Sequence, residues 1–130
     1  QTRDFATIFK TYLGKLIDRS ESHFDGRLMV SSSCLSDRDA FITTDKPSDS
    51  LYAMLLSVQG VEVVLFFKEL EGGKTEVGFR SSHQSTIDVG ALAERFGGGG
   101  HKKAAGATVQ NDIKVVRQQL IDAVGELLSE

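Results

Sequence analysis

The stretch Gly97-Gly98-Gly99-Gly100-His101-Lys102-Lys103-Ala104-Ala105-Gly106 holds the residue types best suited to chemistry. Four consecutive glycines raise the entropic cost of folding and contribute no side-chain packing. They make sense where the main chain itself must approach something closely. His101 is a hydrogen-bond donor near neutral pH, Lys102 and Lys103 are cationic, and successive bare amides can form an anion-binding nest. The ligand that suits this combination best is a phosphate. Upstream, Phe79-Arg80-Ser81-Ser82 sets a planar guanidinium beside two hydroxyls, a fork for phosphate or carboxylate. The plain alternatives are a flexible linker or long helix cap for the glycines, and a half-exposed surface arginine for Arg80.

The chemistry gathered here is one-sided. Arg80, Ser81, Ser82, the amides of Gly97 to Gly100 and His101 could clamp a phosphoryl group and stabilise charge building up on it. Nothing nearby completes a hydrolytic site. No carboxylate pair accompanies a histidine, and His23, His83, His101 and the lone Cys34 show no metal-ligand spacing. Asp37-Arg38-Asp39 lacks further ligands and reads as a helix cap in a solvated turn. The three serines Ser31 to Ser33 read as a partly exposed strand end. The glycines follow a helix, and His101 precedes Lys102 where a Walker motif needs glycine, so the Rossmann and P-loop arrangements are excluded.

The elements that must position these groups follow from periodicity. Asp4 can cap a helix whose stripe is Phe5, Ile8, Phe9, Tyr12, Leu13, Leu16 and Ile17. His23-Phe24-Asp25-Gly26 reads as a turn and residues 27–34 as a strand. Pro47-Ser48-Asp49 introduces a helix through Tyr52, Leu55 and Leu56 that stops near Gly60. The apolar run Val61 to Phe67 then predicts a central strand buried on both faces. Glu71-Gly72-Gly73-Lys74 is a hairpin turn, so Thr75 to Ser82 returns antiparallel, with Gly78, Arg80 and Ser82 on one face and Val77 and Phe79 on the other. Asp88 caps a short helix ending at Gly97. Ala104 to Val109 is a small-residue strand, and Asn111 or Asp112 caps a last helix through Leu127. The expected fold is mixed α/β: a sheet of about four or five strands with helices packed on it, and amphipathic helices at both ends.

Composition sets the bounds. A chain of 130 residues, 40% hydrophobic and 25% charged, has the make-up of one soluble globular domain. Its net charge of −3 argues against coating long nucleic acid, yet permits a local basic pocket for a small anion. A single cysteine excludes an internal disulfide and fits a reducing, cytoplasmic location. No stretch approaches the roughly 20 apolar residues of a membrane span. The chain opens at Gln1 with no initiator Met, which reads as a piece of something longer.

The segments Phe79-Arg80-Ser81-Ser82 and Ala93-Glu94-Arg95-Phe96-Gly97-Gly98-Gly99-Gly100-His101-Lys102-Lys103-Ala104-Ala105-Gly106 resemble the DHH-associated C-terminal domain of the DHH phosphoesterases. Gly60 to Glu69 is similar to that family's strand before the hairpin. The resemblance covers roughly residues 50 to 110, and residues 1 to 49 match only loosely. It implies a two-domain enzyme, whose N-terminal domain carries the Asp-His-His motif and binds two divalent cations, usually manganese. Family members include RecJ-type exonucleases, nano-RNases that act on phosphoadenosine phosphate, cyclic-di-AMP phosphodiesterases and exopolyphosphatases. It further implies that Arg80 and Ser82 bind substrate phosphate, Gly98, Gly99 and Gly100 line the cleft, and His101 contacts the phosphate or the terminal nucleotide facing the metals.

The expectations are therefore specific. Residues 1–22 form a connector helix towards an N-terminal catalytic domain, and residues 23–130 form the substrate-binding domain. The substrate-binding residues are Arg80, Ser81, Ser82, Gly98, Gly99, Gly100, His101 and Lys102, with His101 also catalytic and no metal ligand in this chain. Its partners are a short oligonucleotide or nucleotide phosphate and its own catalytic domain. Alone, the chain is inert. The alternative is a regulatory or homodimerisation module that uses the amphipathic end helices.

Overall fold

A computed structural model describes residues 5–40 and 47–130. Asp4, expected as a helix cap, lies outside the described residues, as do the side chains of Phe5, Arg38 and Asp39. The elements run α1 (Phe5–Asp18), β1 (Glu21–His23), β2 (Leu28–Ser33), α2 (Leu35–Ala40), α3 (Pro47–Leu56), β3 (Val63–Leu70), β4 (Lys74–Ser81), α4 (Val89–Glu94), β5 (Gly99–Gly100), β6 (Ala104–Val109) and α5 (Ile113–Leu128).

The strands make one sheet in the order β1-β2-β3-β4-β6-β5. Only β2 and β3 are parallel; every other pairing is antiparallel. The α/β class holds, but six strands replace the expected four or five. The two additions are a three-residue polar strand, Glu21–His23, and a two-residue glycine strand, Gly99–Gly100. Neither carries the apolar alternation by which strands are recognised, and each exists because a neighbour supplies hydrogen-bond partners.

β3 is buried on both faces, as its unbroken apolar run predicts. Val63, Leu65 and Phe67 face a core completed by Val77 and Phe79 of β4 and by the apolar sides of α4 and α5. Val64 and Phe66 face a second core with Tyr12 and Leu16 of α1 and Leu51, Tyr52 and Leu55 of α3. Tyr12, Leu13, Leu16 and Ile17 of α1 and the stripe of α5 from Ile113 to Leu128 pack into these cores, whereas Ile8 and Phe9 of α1 stay partly exposed outside them. α1 and α3 lie over β2 and β3, while α4 and α5 cover the opposite face.

α1 is also docked through polar contacts, which revises two readings. Ser31 and Ser33 are buried: Ser31 Oγ donates to the Leu16 carbonyl, and the Tyr12 hydroxyl lies 2.6 Å from Ser33 Oγ. Asp37 is buried too, where a solvated turn was expected. Arg19 reaches it with both terminal nitrogens at 2.5 and 2.7 Å, and the Cys34 amide donates to it at 2.8 Å. The guanidinium holds the Asp37 carboxyl well below the usual carboxylate range, against the opposing effect of burial. Its acceptance from Cys34 closes the first turn of α2, in the manner of a capping box.

Candidate functional site

The glycine run is built from the helix that precedes it. α4 begins at Asp88, whose carboxylate accepts from the Ala91 amide at 3.0 Å. It ends in a Schellman closure: the Gly97 amide donates to the Glu94 carbonyl at 3.1 Å and the Gly98 amide to the Ala93 carbonyl at 2.9 Å. Gly97 takes the positive φ of 83° that this turn requires. These two amides are therefore engaged, and the run is not a nest of four free donors.

Beyond the closure the chain runs back as β5 against β6. Gly99 pairs with Gly106 and Gly100 with Ala105. His101 and Ala104 then exchange both backbone hydrogen bonds, at 2.7 and 3.3 Å, and so close a tight hairpin with Lys102 and Lys103 at its tip. α4 holds this hairpin from beneath, because the Val89 amide donates to the Lys102 carbonyl at 3.0 Å. Gly90 lets the contact be close, since a Cβ there would lie 2.9 Å from the Gly100 carbonyl oxygen.

The register across β4, β6 and β5 decides which groups meet. Arg80 pairs with Ala104, and Ala104 with His101. Gly78 pairs with Gly106, and Gly106 with Gly99. Directly opposed residues in antiparallel strands put their side chains on one face, so these are two adjacent rows of the same face. One row is Arg80-Ala104-His101. The row beside it is glycine in all three strands. Two strand spacings put the Arg80 and His101 backbones about 10 Å apart, with only the Ala104 methyl between them.

This face is covered by α3 over β3 and is open over β6 and β5, where His101, Gly106 and Thr108 are exposed. The result is a trough with a wall and a bare floor. Tyr52 of α3 forms the wall. The Arg80 guanidinium lies over its ring, 4.2 Å from the centroid, and donates through Nη1 to the Phe79 carbonyl at 2.8 Å. Among the described residues Arg80 has no carboxylate partner. Of its five N–H donors one is engaged among the described residues, which leaves donors for a ligand. Burial pushes the Tyr52 phenol up to about 12, with Arg80 acting in the opposite sense, so the ring stays neutral.

The glycines of the run are not equivalent. At Gly98 a Cβ would lie 2.1 Å from the Gly106 carbonyl oxygen, and at Gly100, with φ 147°, it would lie 2.6 Å from Ala105 Cα. Internal packing accounts for both. A Cβ at Gly99 would meet nothing within 4 Å, and its φ is ordinary. The fold alone gives no reason for that glycine, whereas a ligand lying on the floor would.

The expected site residues separate accordingly. Arg80, Gly99 and His101 come together around the trough, with Lys102 exposed at the hairpin tip and its side chain unpaired among the described residues. Ser82 continues the Arg80 face at the end of β4, its backbone held by Glu62 and by Lys103. Ser81 does not join them. It faces the opposite side, buried, and its hydroxyl donates to the Lys102 carbonyl at 3.1 Å. Lys103 is likewise structural, its Nζ donating to the carbonyls of Ser82 and Ser85 at 2.7 Å each. Tyr52 was read only as part of a helix stripe. The available signal was Gly78, a strand-interior glycine whose missing Cβ would lie 1.8 Å from the Tyr52 hydroxyl.

Two further features stand apart. A pocket of about 260 Å³, lined by Thr86, Asp88, Leu92, Arg95, Leu127 and Glu130 among others, opens between α4 and the end of α5, away from the trough. Among the described residues no three His, Cys, Asp or Glu side chains cluster as a metal shell would require.

Fold and site together define an α/β domain with a cationic, glycine-floored trough at the uncovered end of its sheet. Residues 26–130 match the DHHA1 domain, and the chain belongs to that family: it is a DHH-associated C-terminal domain, a phosphoesterase-associated module. It is 30% identical over 118 residues to the bifunctional oligoribonuclease and PAP phosphatase NrnA of Thermus thermophilus. That alignment takes in 90% of this chain and 34% of the relative, so the chain spans about a third of the relative's length. The fold is similar to that of an exopolyphosphatase-related protein from Bacteroides fragilis, with TM-score 0.81 and 20% identity over 99% of this chain and 38% of that one. It is also similar to a pGpG-specific phosphodiesterase from Vibrio cholerae, with TM-score 0.70 and 11% identity over 96% and 40% of the two chains. Among the described residues no helix is long and apolar enough to cross a membrane.

Proposed function

We propose that this chain is the substrate-binding domain of a metal-dependent phosphoesterase, and that it grips a phosphate of a short oligonucleotide or related nucleotide phosphate. The observation that carries the reading is the row Arg80-Ala104-His101, set beside a row of glycines on the one open face of the sheet. Arg80 supplies a bidentate fork, Lys102 a long-range attraction, and His101 a donor at the far side of the anion. The bare floor admits the ligand to main-chain contact at Gly99. Ser81 acts through the hairpin, holding the Lys102 carbonyl, not through the ligand.

The metal-dependent step belongs, in this proposal, to a catalytic domain reached through residues 1–22, with manganese as the expected ion. This chain binds and orients, and His101 is placed to donate a hydrogen bond to the phosphate as charge develops on it. Alone the chain hydrolyses nothing. The relatives named above, one an oligoribonuclease and PAP phosphatase and one a phosphodiesterase for pGpG, support the substrate class. A cytoplasmic location fits such substrates. The alternative, a regulatory or dimerisation module, would draw on the same end helices, whose stripes are largely taken up by the chain's own cores, and this favours the substrate-binding reading.

The test is calorimetric titration of the 130-residue chain with a 5′-phosphorylated dinucleotide. Binding that weakens at least tenfold in both Arg80→Ala and His101→Ala supports the proposal. Equal binding by wild type and both variants overturns it.

A further inference from the structure

Arg80 is held on two sides before any ligand arrives. Its guanidinium lies 4.2 Å from the Tyr52 ring centroid, and Nη1 is tied to the Phe79 carbonyl. Tyr52 in turn is fixed: it is buried, stacked edge-on to Phe66 with ring centroids 6.3 Å apart, and set between Leu51 and Leu55 on α3. The ring reaches the guanidinium only because β4 yields space at Gly78. A Cβ there would fall 1.8 Å from the Tyr52 hydroxyl and 3.1 Å from Cζ.

Gly78 has an ordinary φ, so backbone conformation does not demand glycine at that position. What demands it is the tyrosine. The two residues, 26 positions apart, behave as a seat and its occupant. The consequence is felt at Arg80, two residues along the same strand face. A free arginine side chain has rotamer entropy to lose on binding, and a stacked one has already lost part of it.

We propose that Tyr52 is the positioning residue for Arg80, and that Gly78 exists to seat it, so that the guanidinium is presented to the trough in its anion-binding orientation. The inference rests on the reading of Arg80 as the phosphate ligand, and it assigns Tyr52 no contact with the ligand. It accounts together for a buried tyrosine ring seated against the strand, a strand-interior glycine with unstrained backbone, and an arginine stacked where a carboxylate partner is lacking among the described residues.

The experiment is an NMR titration of the 130-residue chain with inorganic phosphate, read alongside the chemical shifts of the Arg80 side chain. A ring at stacking distance shifts the guanidinium and δ-methylene protons of Arg80 upfield, and a structural role elsewhere in α3 leaves them unmoved. Tyr52→Phe keeps the ring and is expected to keep both the upfield shift and the wild-type affinity. Tyr52→Leu is expected to lose the shift and bind phosphate about three- to tenfold more weakly. Gly78→Ala is expected to match Tyr52→Leu, since its methyl evicts the hydroxyl. The double variant Gly78→Ala/Tyr52→Phe, with the clashing oxygen removed, is expected to recover both signals. If Tyr52→Leu does not fold, the two Gly78→Ala proteins carry the same comparison. Phosphate affinity lost in Arg80→Ala but unchanged in Tyr52→Leu and Gly78→Ala overturns the positioning role alone. Affinity unchanged in Arg80→Ala overturns the site reading beneath it.

Discussion

Arg80 and His101 stand in one row of one sheet face, separated by a single strand that contributes only the methyl of Ala104. Their alignment follows from backbone register and so needs no side chain to move. Two donors about two strand spacings apart, over a floor without side chains, suit an anion the size of a phosphate or a phosphodiester. Arg80→Ala removes the guanidinium fork at the trough and is expected to weaken phosphate binding about ten- to a hundredfold, the range for a charge-assisted hydrogen-bond pair. Arg80→Lys keeps the charge and loses the bidentate geometry, so its affinity should fall between the two. Calorimetry on the three proteins orders them.

The glycine run separates fold from function at single residues. Gly98→Ala and Gly100→Ala place a methyl 2.1 to 2.6 Å from main-chain atoms of β6, and both are expected to lose about 2–3 kcal/mol or more of stability. Gly99→Ala meets nothing and is expected to fold within about 1 kcal/mol of wild type, yet to bind phosphate more weakly because its methyl lies on the floor. Chemical denaturation and ligand titration on the same three variants check both halves. A Gly99→Ala protein that binds normally removes the floor from the account.

Much of this architecture was legible from residue patterns, and the exceptions share a cause. β3 declared itself by an unbroken apolar run, the β3–β4 hairpin by Glu71-Gly72-Gly73-Lys74, and the ends of α4 and α5 by their capping residues. β1 and β5 did not, because a polar triplet and a pair of glycines become strands only through the neighbours they pair with. Ser31, Ser33 and Asp37 looked solvated, since serine and aspartate usually are. Their burial depends on Tyr12, Leu16 and Arg19, which lie up to 21 positions away and which only the docked α1 brings near. Arg80, Gly99 and His101 stood out as candidates because glycine and cation clusters are rare, and the register of β4, β6 and β5 sets them on one sheet face. Tyr52 was missed because an aromatic in a helical stripe looks the same whether it fills a core or supports an arginine.

The Arg19–Asp37 pair ties the residue that follows α1 to the first turn of α2. Arg19→Met leaves a buried carboxylate with only the Cys34 amide and thiol, and about 3 kcal/mol is expected to be lost at neutral pH. The pH dependence has a definite sign. Because the folded Asp37 titrates below its unfolded counterpart, its contribution is complete above about pH 4 and drains away as the pH falls further. Asp37→Asn is therefore expected to be less stable than wild type at pH 7 and to show a flatter loss between about pH 4 and pH 2. Urea midpoints across that interval give the measurement.

Tyr52 predicts the opposite limb. Burial raises its phenol to about 12, above the roughly 10 of an unfolded tyrosine. Its contribution is then whole below about pH 10 and is lost as the pH rises towards 12. Tyr52→Phe should shed that part of the alkaline destabilisation, and absorbance titration should lose one late-ionising phenol. An unchanged late phenol in Tyr52→Phe would place the perturbed group elsewhere.

The most direct test of the central claim is a crystal of this chain soaked with a 5′-phosphorylated dinucleotide. The account predicts a phosphate within hydrogen-bond reach of both the Arg80 guanidinium and the His101 ring, lying over Gly99. A well-ordered nucleotide phosphate bound elsewhere, with the trough empty, would contradict it.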